Sequence, residues 1–125
     1  MPRILVADDD AWQLELRCRL LEAVGHKVAL AFSPSEAMRH INTVDVIIMD
    51  LRFPNTEGDS DPAEGLGLIR RIRESGCHLP VIVVSGWPED LEGRPEAQMV
   101  TKVMLKPVGM QNLIHVIEEL TRSGR

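Results

Sequence analysis

The chain has 125 residues, 44% of them hydrophobic, which suits one domain with a substantial core. Fourteen Lys and Arg against nineteen Asp and Glu give a formal charge of −5, and no block of like charge extends beyond Asp8-Asp9-Asp10, so nucleic-acid binding is not expected. No apolar run reaches membrane-spanning length, Met1-Pro2-Arg3 leads into a run too short for a signal-peptide core, and Cys18 and Cys77 lack metal or redox spacing, so a cytoplasmic chain with reduced thiols is expected.

Ile4–Ala7 reads as a first strand, short, apolar and closed by aspartates. Leu14, Cys18, Leu21 and Val24 then recur at helical spacing up to Gly25, where the helix should stop. Val28–Ala31 is a second strand. Ser33-Pro34-Ser35-Glu36 combines an N-cap serine, a proline at the first helical position and a capping-box glutamate, opening a helix that carries Ala37 and Ile41. Val44–Met49 is the third strand, followed by Asn55–Glu64, a polar and acidic loop. Leu68, Ile69 and Ile72 mark a third helix ending at Gly76, and Val81–Val84 a fourth strand. In Trp87–Gln98, Pro88, Gly93 and Pro95 leave little room for a long helix. Val103–Leu105 is a fifth strand, and Leu113, Val116, Ile117 and Leu120 form the stripe of a last helix. Strands and helices in alternation predict a single doubly wound α/β domain over residues 1–125, without repeat, linker or effector domain.

In such sheets ligands bind beyond the carboxyl ends of the strands. The residues there are Asp8 and Asp9, Asp50, Ser85 and Lys106. Like charges about 4 Å apart repel by about 4 kcal/mol at an effective dielectric near 20, so converging carboxylates must protonate or hold a cation, and oxygen donors select Mg²⁺. Metal-binding carboxylates, a separate carboxylate nucleophile, a hydroxyl and a fixed cation make a phosphoryl-transfer site. Taken singly, each has a plainer reading: solvated loop openers at Asp8 and Asp9, a turn at Ser85-Gly86, a surface lysine ahead of a helix-starting proline at Lys106-Pro107. Their joint placement on four strands carries the argument.

Val6-Ala7-Asp8-Asp9-Asp10, Val46 to Pro54, Val81 to Gly86 and Lys106-Pro107, with Gly25-His26-Lys27-Val28 and Ser35-Glu36-Ala37 between them, resemble the receiver domain of two-component response regulators. The resemblance spans nearly the whole chain and implies a flavodoxin-like (βα)5 fold with strand order 2-1-3-4-5. It implies that Asp50 is the phosphoacceptor, taking a phosphoryl group from a sensor histidine kinase or a phosphotransfer protein. Asp8 and Asp9 would hold Mg²⁺ with the Asp50 carboxylate and the backbone carbonyl of Arg52. Ser85 would be the switch hydroxyl, with Gly86 keeping space beside it, and Lys106 would pair with a phosphoryl oxygen ahead of a cis bond to Pro107. Asp10, beyond the pair, reads as an N-terminal charge on the first helix.

Three departures from the family pattern stand out: Val103 where an aromatic switch residue is usual, the long Asn55–Glu64 connection, and the Pro- and Gly-rich Trp87–Gln98 segment. They bear on output, which would run through Trp87–Gln98 or the phosphorylated pocket rather than Val103. Two other readings compete. Asp8-Asp9-Asp10 also fits the Asp-x-Asp pattern of haloacid-dehalogenase-type phosphatases, which would make Asp8 the modified residue, although only helical Glu118 and Glu119 follow the lysine. A degenerate receiver would serve only as a protein-interaction module. Gly65-Leu66-Gly67 lacks the remaining residues of either phosphate-loop fingerprint and reads as a helix start.

Overall fold

The computed structural model describes residues 1–122. In chain order it contains β1 (Arg3–Ala7), α1 (Ala11–Ala23), β2 (Lys27–Ala31), α2 (Pro34–Met38), β3 (Val46–Met49), β4 (Phe53–Pro54), β5 (Ser60–Asp61), α3 (Pro62–Glu74), β6 (Val81–Ser85), β7 (Lys102–Leu105) and α4 (Met110–Arg122). Two short 3-10 turns, Pro88–Asp90 and Pro95–Gln98, lie between β6 and β7.

The apolar run of β3 has no polar break, which suits a strand covered on both faces, and all four of its residues are buried. It sits mid-sheet: the parallel order is β2-β1-β3-β6-β7, and β4 pairs with β5 in a separate antiparallel hairpin. With that hairpin set aside, the order is the expected 2-1-3-4-5. Alternation along the strands divides the core. Leu5, Ala7, Ile47, Met49, Val81 and Val83 join Leu66, Ile69 and Ile72 of α3 on one face. Ile4, Val6, Ile48, Ile82 and Val84 join Leu14 and Leu21 of α1 and Leu113, Val116 and Ile117 of α4 on the other.

Local details differ from the sequence reading. Helix α1 ends at Ala23, with Val24 an exposed C-cap, and its inward residues are Leu14, Arg17 and Leu21, while Cys18 is only half-buried. The inward arc therefore passes through position 17, because residues three and four apart share a helix face. Helix α2 stops at Met38, and the buried Ile41 follows in a turn. Strand β3 starts two residues later than expected, at Val46.

Asn55–Glu64 is not one long loop. Hairpin β4–β5 folds its first half back, and Asp61 caps α3, accepting from the Ala63 N–H at 2.9 Å. Asn55 organises the turn between: its Oδ1 accepts from the N–H groups of Glu57 and Asp59 at 2.9 and 3.0 Å, and its Nδ2 donates to Asp61 Oδ2 at 3.3 Å.

Between β6 and β7 no long helix forms; backbone turns satisfy most carbonyls there, and one side chain of α3 ties the end of this segment to the α3–β6 connection. The Arg73 guanidinium donates to the carbonyls of Met99 (2.9 and 2.8 Å), Cys77 (3.2 Å) and Leu79 (2.8 Å). Arg70 pairs with the buried Glu96. Edge strand β7 is left open on one side, with Val103 and Leu105 exposed.

Candidate acidic site at the carboxyl edge of the sheet

The backbone ladder runs one residue past the strand ends. The N–H of Asp50 donates to Ala7 O and that of Asp8 to Ala31 O, both at 3.1 Å. Asp8 and Asp50 thereby leave neighbouring strands at one level. Both are buried, Asp8 almost completely, whereas Asp9 is exposed. Lys106, just past β7, is positioned by its N–H, which donates to Ser85 O at 2.9 Å, and the Lys106–Pro107 bond is cis.

The Lys106 side chain reaches across β6 to the end of β3. Its Nζ lies 2.6 Å from Asp50 Oδ2 and 3.9 Å from Asp8 Oδ2. The other oxygen of Asp50 accepts from the backbone N–H groups of Leu51 at 2.6 Å and Arg52 at 3.2 Å. Asp50 is thus held at both oxygens, in an orientation set by backbone and by one cation. Asp8 Oδ1 accepts from the Asp10 N–H at 3.0 Å, but Asp8 Oδ2 is buried without any hydrogen-bond partner. Burial raises the Asp8 carboxyl above its ordinary value, opposed by the Asp10 N–H and by Lys106.

The donor set suits a hard cation. An orphaned, buried carboxylate oxygen at Asp8 and the exposed carboxylate of Asp9 are oxygen ligands of the kind Mg²⁺ takes. Among the described residues no three acidic, His or Cys side chains already form a metal cage, and Asp50 Oδ2 is engaged by Lys106.

Ser85 is buried at the end of β6, but its hydroxyl is turned to its own loop, accepting from the Trp87 N–H at 3.0 Å and donating to Trp87 O at 3.4 Å. At Gly86 an added Cβ would meet nothing within 4 Å, so the rim there is open, and crowding does not demand glycine. Asp10 serves as the N-cap of α1, accepting from the N–H groups of Trp12 and Gln13 at 3.0 and 3.2 Å.

Two groups of the site are absent from the sequence reading. The side chain of Arg52, whose carbonyl alone was expected to matter, lies over the Trp87 ring at 3.9 Å from its centroid and is bound by Asp90 through Nε at 2.9 Å and Nη2 at 3.2 Å. Arg17 Nη1 lies 3.8 Å from Asp8 Oδ2. The signal for Arg17 was present in its spacing, three residues after Leu14 and four before Leu21; nothing local announces that Arg52 meets Trp87 and Asp90, which lie far from it in sequence.

Residues 4–118 match the family described as the response regulator receiver domain. The chain belongs to the response regulator receiver domains. A receiver domain is the phosphoacceptor module of two-component signalling. This one is 36% identical over 98 residues to the virulence transcriptional regulatory protein PhoP of Salmonella typhimurium, covering 74% of this chain and 40% of PhoP. It is 33% identical over 86 residues to the CAI-1 autoinducer sensor kinase/phosphatase CqsS of Vibrio cholerae, covering 67% of this chain and 12% of CqsS. The receiver domain therefore spans less than half the length of either relative. Among solved structures, the receiver domain of Francisella response regulator 1452 superposes with a TM-score of 0.84 at 26% identity, over 100% of both chains. Response regulator TrrA of Thermotoga maritima, solved in complex with Mg(2+)-BeF, shares the fold at a TM-score of 0.81 and 21% identity, over 96% of this chain and 99% of that one.

Proposed function

We propose that Asp50 of this receiver domain accepts a phosphoryl group from a phosphohistidine on a sensor histidine kinase or a phosphotransfer protein. The observation that carries this reading is the 2.6 Å pair between Lys106 Nζ and Asp50 Oδ2, formed by residues at the ends of two strands that are not neighbours. A buried carboxylate fixed at one oxygen by two N–H groups presents its other oxygen as the nucleophile. Asp50 Oδ2 forms the new P–O bond while the P–N bond to the donor imidazole breaks, and the imidazole nitrogen keeps that bond's electrons and takes up a proton. Lys106 transfers its hydrogen bond from Asp50 to a phosphoryl oxygen, so its charge stays beside the negative charge that arrives.

Asp8, Asp9, Asp50 and the Arg52 carbonyl are the groups that would hold Mg²⁺, which when bound neutralises charge on the phosphoryl oxygens. Ser85 has to release the Trp87 backbone before its hydroxyl can meet the phosphoryl group, a movement that would pull on the segment leading to Pro88. Val103, with one χ angle and an exposed position, has little means of reporting that event, so output is proposed to run through Trp87–Gln98.

Acetyl phosphate with Mg²⁺ should add one acid-labile phosphoryl group, and Asp50→Asn should abolish it. Labelling of Asp8, or undiminished labelling of the Asn variant, refutes the assignment. In the beryllofluoride-treated chain, amide exchange should change over Trp87–Gln98. Changes confined to Val103–Leu105 and α4 would refute the output route.

A further inference from the structure

A charged side chain on the inward face of a helix has to be explained, because burying a guanidinium is costly unless an anion faces it. Arg17 is such a residue, 9% exposed, between Leu14 and Leu21 on the face of α1 that packs on the sheet. Among the described residues, Asp8 is its only ion-pair partner, and the 3.8 Å separation is too long for a hydrogen bond. Lys106 stands off the same oxygen at 3.9 Å. Asp8 Oδ2 is therefore buried, approached by two cations and hydrogen-bonded by neither.

The two cations are not equivalent. Lys106 already has a close partner in Asp50 and is needed by the incoming phosphoryl group. Arg17 has no second partner among the described residues: no hydrogen bond from its guanidinium to another group is formed, and its stem leaves the inward face of α1. In this arrangement its charge lies beside the Asp8 carboxylate.

We infer that Arg17 is a resident counter-cation of the acidic pocket, which neutralises Asp8 in the metal-free receiver and sets its Mg²⁺ affinity low by repelling the incoming ion. The inference rests on the proposed reading of Asp8 as a metal ligand. With Asp8, Asp9 and Asp50 opposed by Arg17 and Lys106, the pocket carries one net negative charge instead of two. The gain is a positive charge beside a buried carboxylate oxygen that has no hydrogen-bond donor of its own. The cost is borne by the metal, which must enter beside a fixed positive charge. Phosphorylation would then depend on Mg²⁺ supply over a range in which a pocket without Arg17 would be saturated.

Mg²⁺ titrations of the whole chain test this, followed by calorimetry so that no phosphodonor is needed. A unit charge roughly 7 Å from a divalent ion shifts its affinity on the order of tenfold even at water-like screening. Arg17→Met, which keeps the packing stem and drops the charge, should bind Mg²⁺ about tenfold more tightly. Arg17→Lys should stay within about threefold of the parent. Unchanged or weaker binding by the Met variant overturns the inference and leaves Arg17 as a packing residue. If far-UV circular dichroism shows that Arg17→Met does not fold, Arg17→Gln carries the same expectation. Asp9→Asn separates the two layers of the argument. If it weakens Mg²⁺ binding while the Arg17 variants bind like the parent, only the present inference fails. If the parent shows no binding that Asp9→Asn reduces, the metal reading falls and this inference with it.

Discussion

Adding one methyl group at Gly65 should loosen the site more than any surface change of that size. A Cβ built there would lie 2.3 Å from Leu51 O, 2.4 Å from Leu51 Cα and 2.7 Å from Leu51 C, all backbone atoms of the residue after Asp50. The same contact includes a hydrogen bond, from the Gly65 N–H to Leu51 O at 2.9 Å. Three contributions decide the outcome. Alanine in place of glycine favours a helix by about 1 kcal/mol. Overpacking costs about 1–3 kcal/mol where side chains can yield, and the upper end applies because backbone cannot. Pushing α3 away also strains or breaks a buried hydrogen bond, about 1 kcal/mol more. Gly65→Ala should therefore lower stability by about 2–3 kcal/mol. Gly67→Ala is the internal control: it lies in the same helix, and its added Cβ would meet only Arg70 Nη2, at 3.7 Å. That variant should gain about 0.5–1 kcal/mol. Urea unfolding followed by far-UV circular dichroism separates the two by several times the error of the method. Equal stability of the two variants would refute the close approach of α3 to Leu51.

Lys106→Ala should keep or strengthen Mg²⁺ binding while losing most of the spectroscopic change on phosphorylation; much weaker Mg²⁺ affinity would contradict the role given to that side chain. Arg73→Met leaves the carbonyls of Cys77, Leu79 and Met99 without their shared donor and should destabilise the domain by about 2–4 kcal/mol in the same urea assay. Arg70 beside Glu96 holds that carboxyl below its ordinary value of 4.5, so ionised Glu96 stabilises the fold above pH 4.5 and loses that contribution as pH falls through the lowered folded value. Glu96→Gln should accordingly be less stable than the parent at pH 7, with the gap narrowing below pH 4.5; a gap independent of pH would be inconsistent with this pair. Shortening the Asn55–Asp59 turn should leave labelling by acetyl phosphate intact, and a selective loss of transfer from a kinase would assign the acidic turn to partner choice.

The five strands of the parallel sheet were legible because each is a short apolar run, four of them closed by a polar residue, and β3 in particular has no polar break. Asp8, Asp50 and Lys106 followed, since parallel topology brings strand ends to one edge and these residues occupy them. Ser85 was located correctly, but its hydroxyl bonds to the Trp87 backbone, a local choice that strand assignment does not reveal. The hairpin of Phe53–Pro54 with Ser60–Asp61 went unseen because two-residue strands have no periodicity to detect. Arg17 was overlooked because Cys18, one position on, also fits a helical spacing. The Arg52–Asp90 and Arg73–Met99 contacts depend on where distant segments meet, which one chain's pattern does not specify.

Both ends of the segment between β6 and β7 are tied to the rest of the domain, by Asp90 to Arg52 and by Glu96 and Met99 to α3. Glu92–Arg94 lies between these ties, exposed, with Gly93 at φ +70° and open space around it. Extra residues inserted there would lengthen a loop whose ends are already fixed, at an entropic cost of only about 0.6 kcal/mol for each doubling of its length. That short stretch is where a fluorophore or a small tag could be carried without touching the sheet edge that holds Asp50.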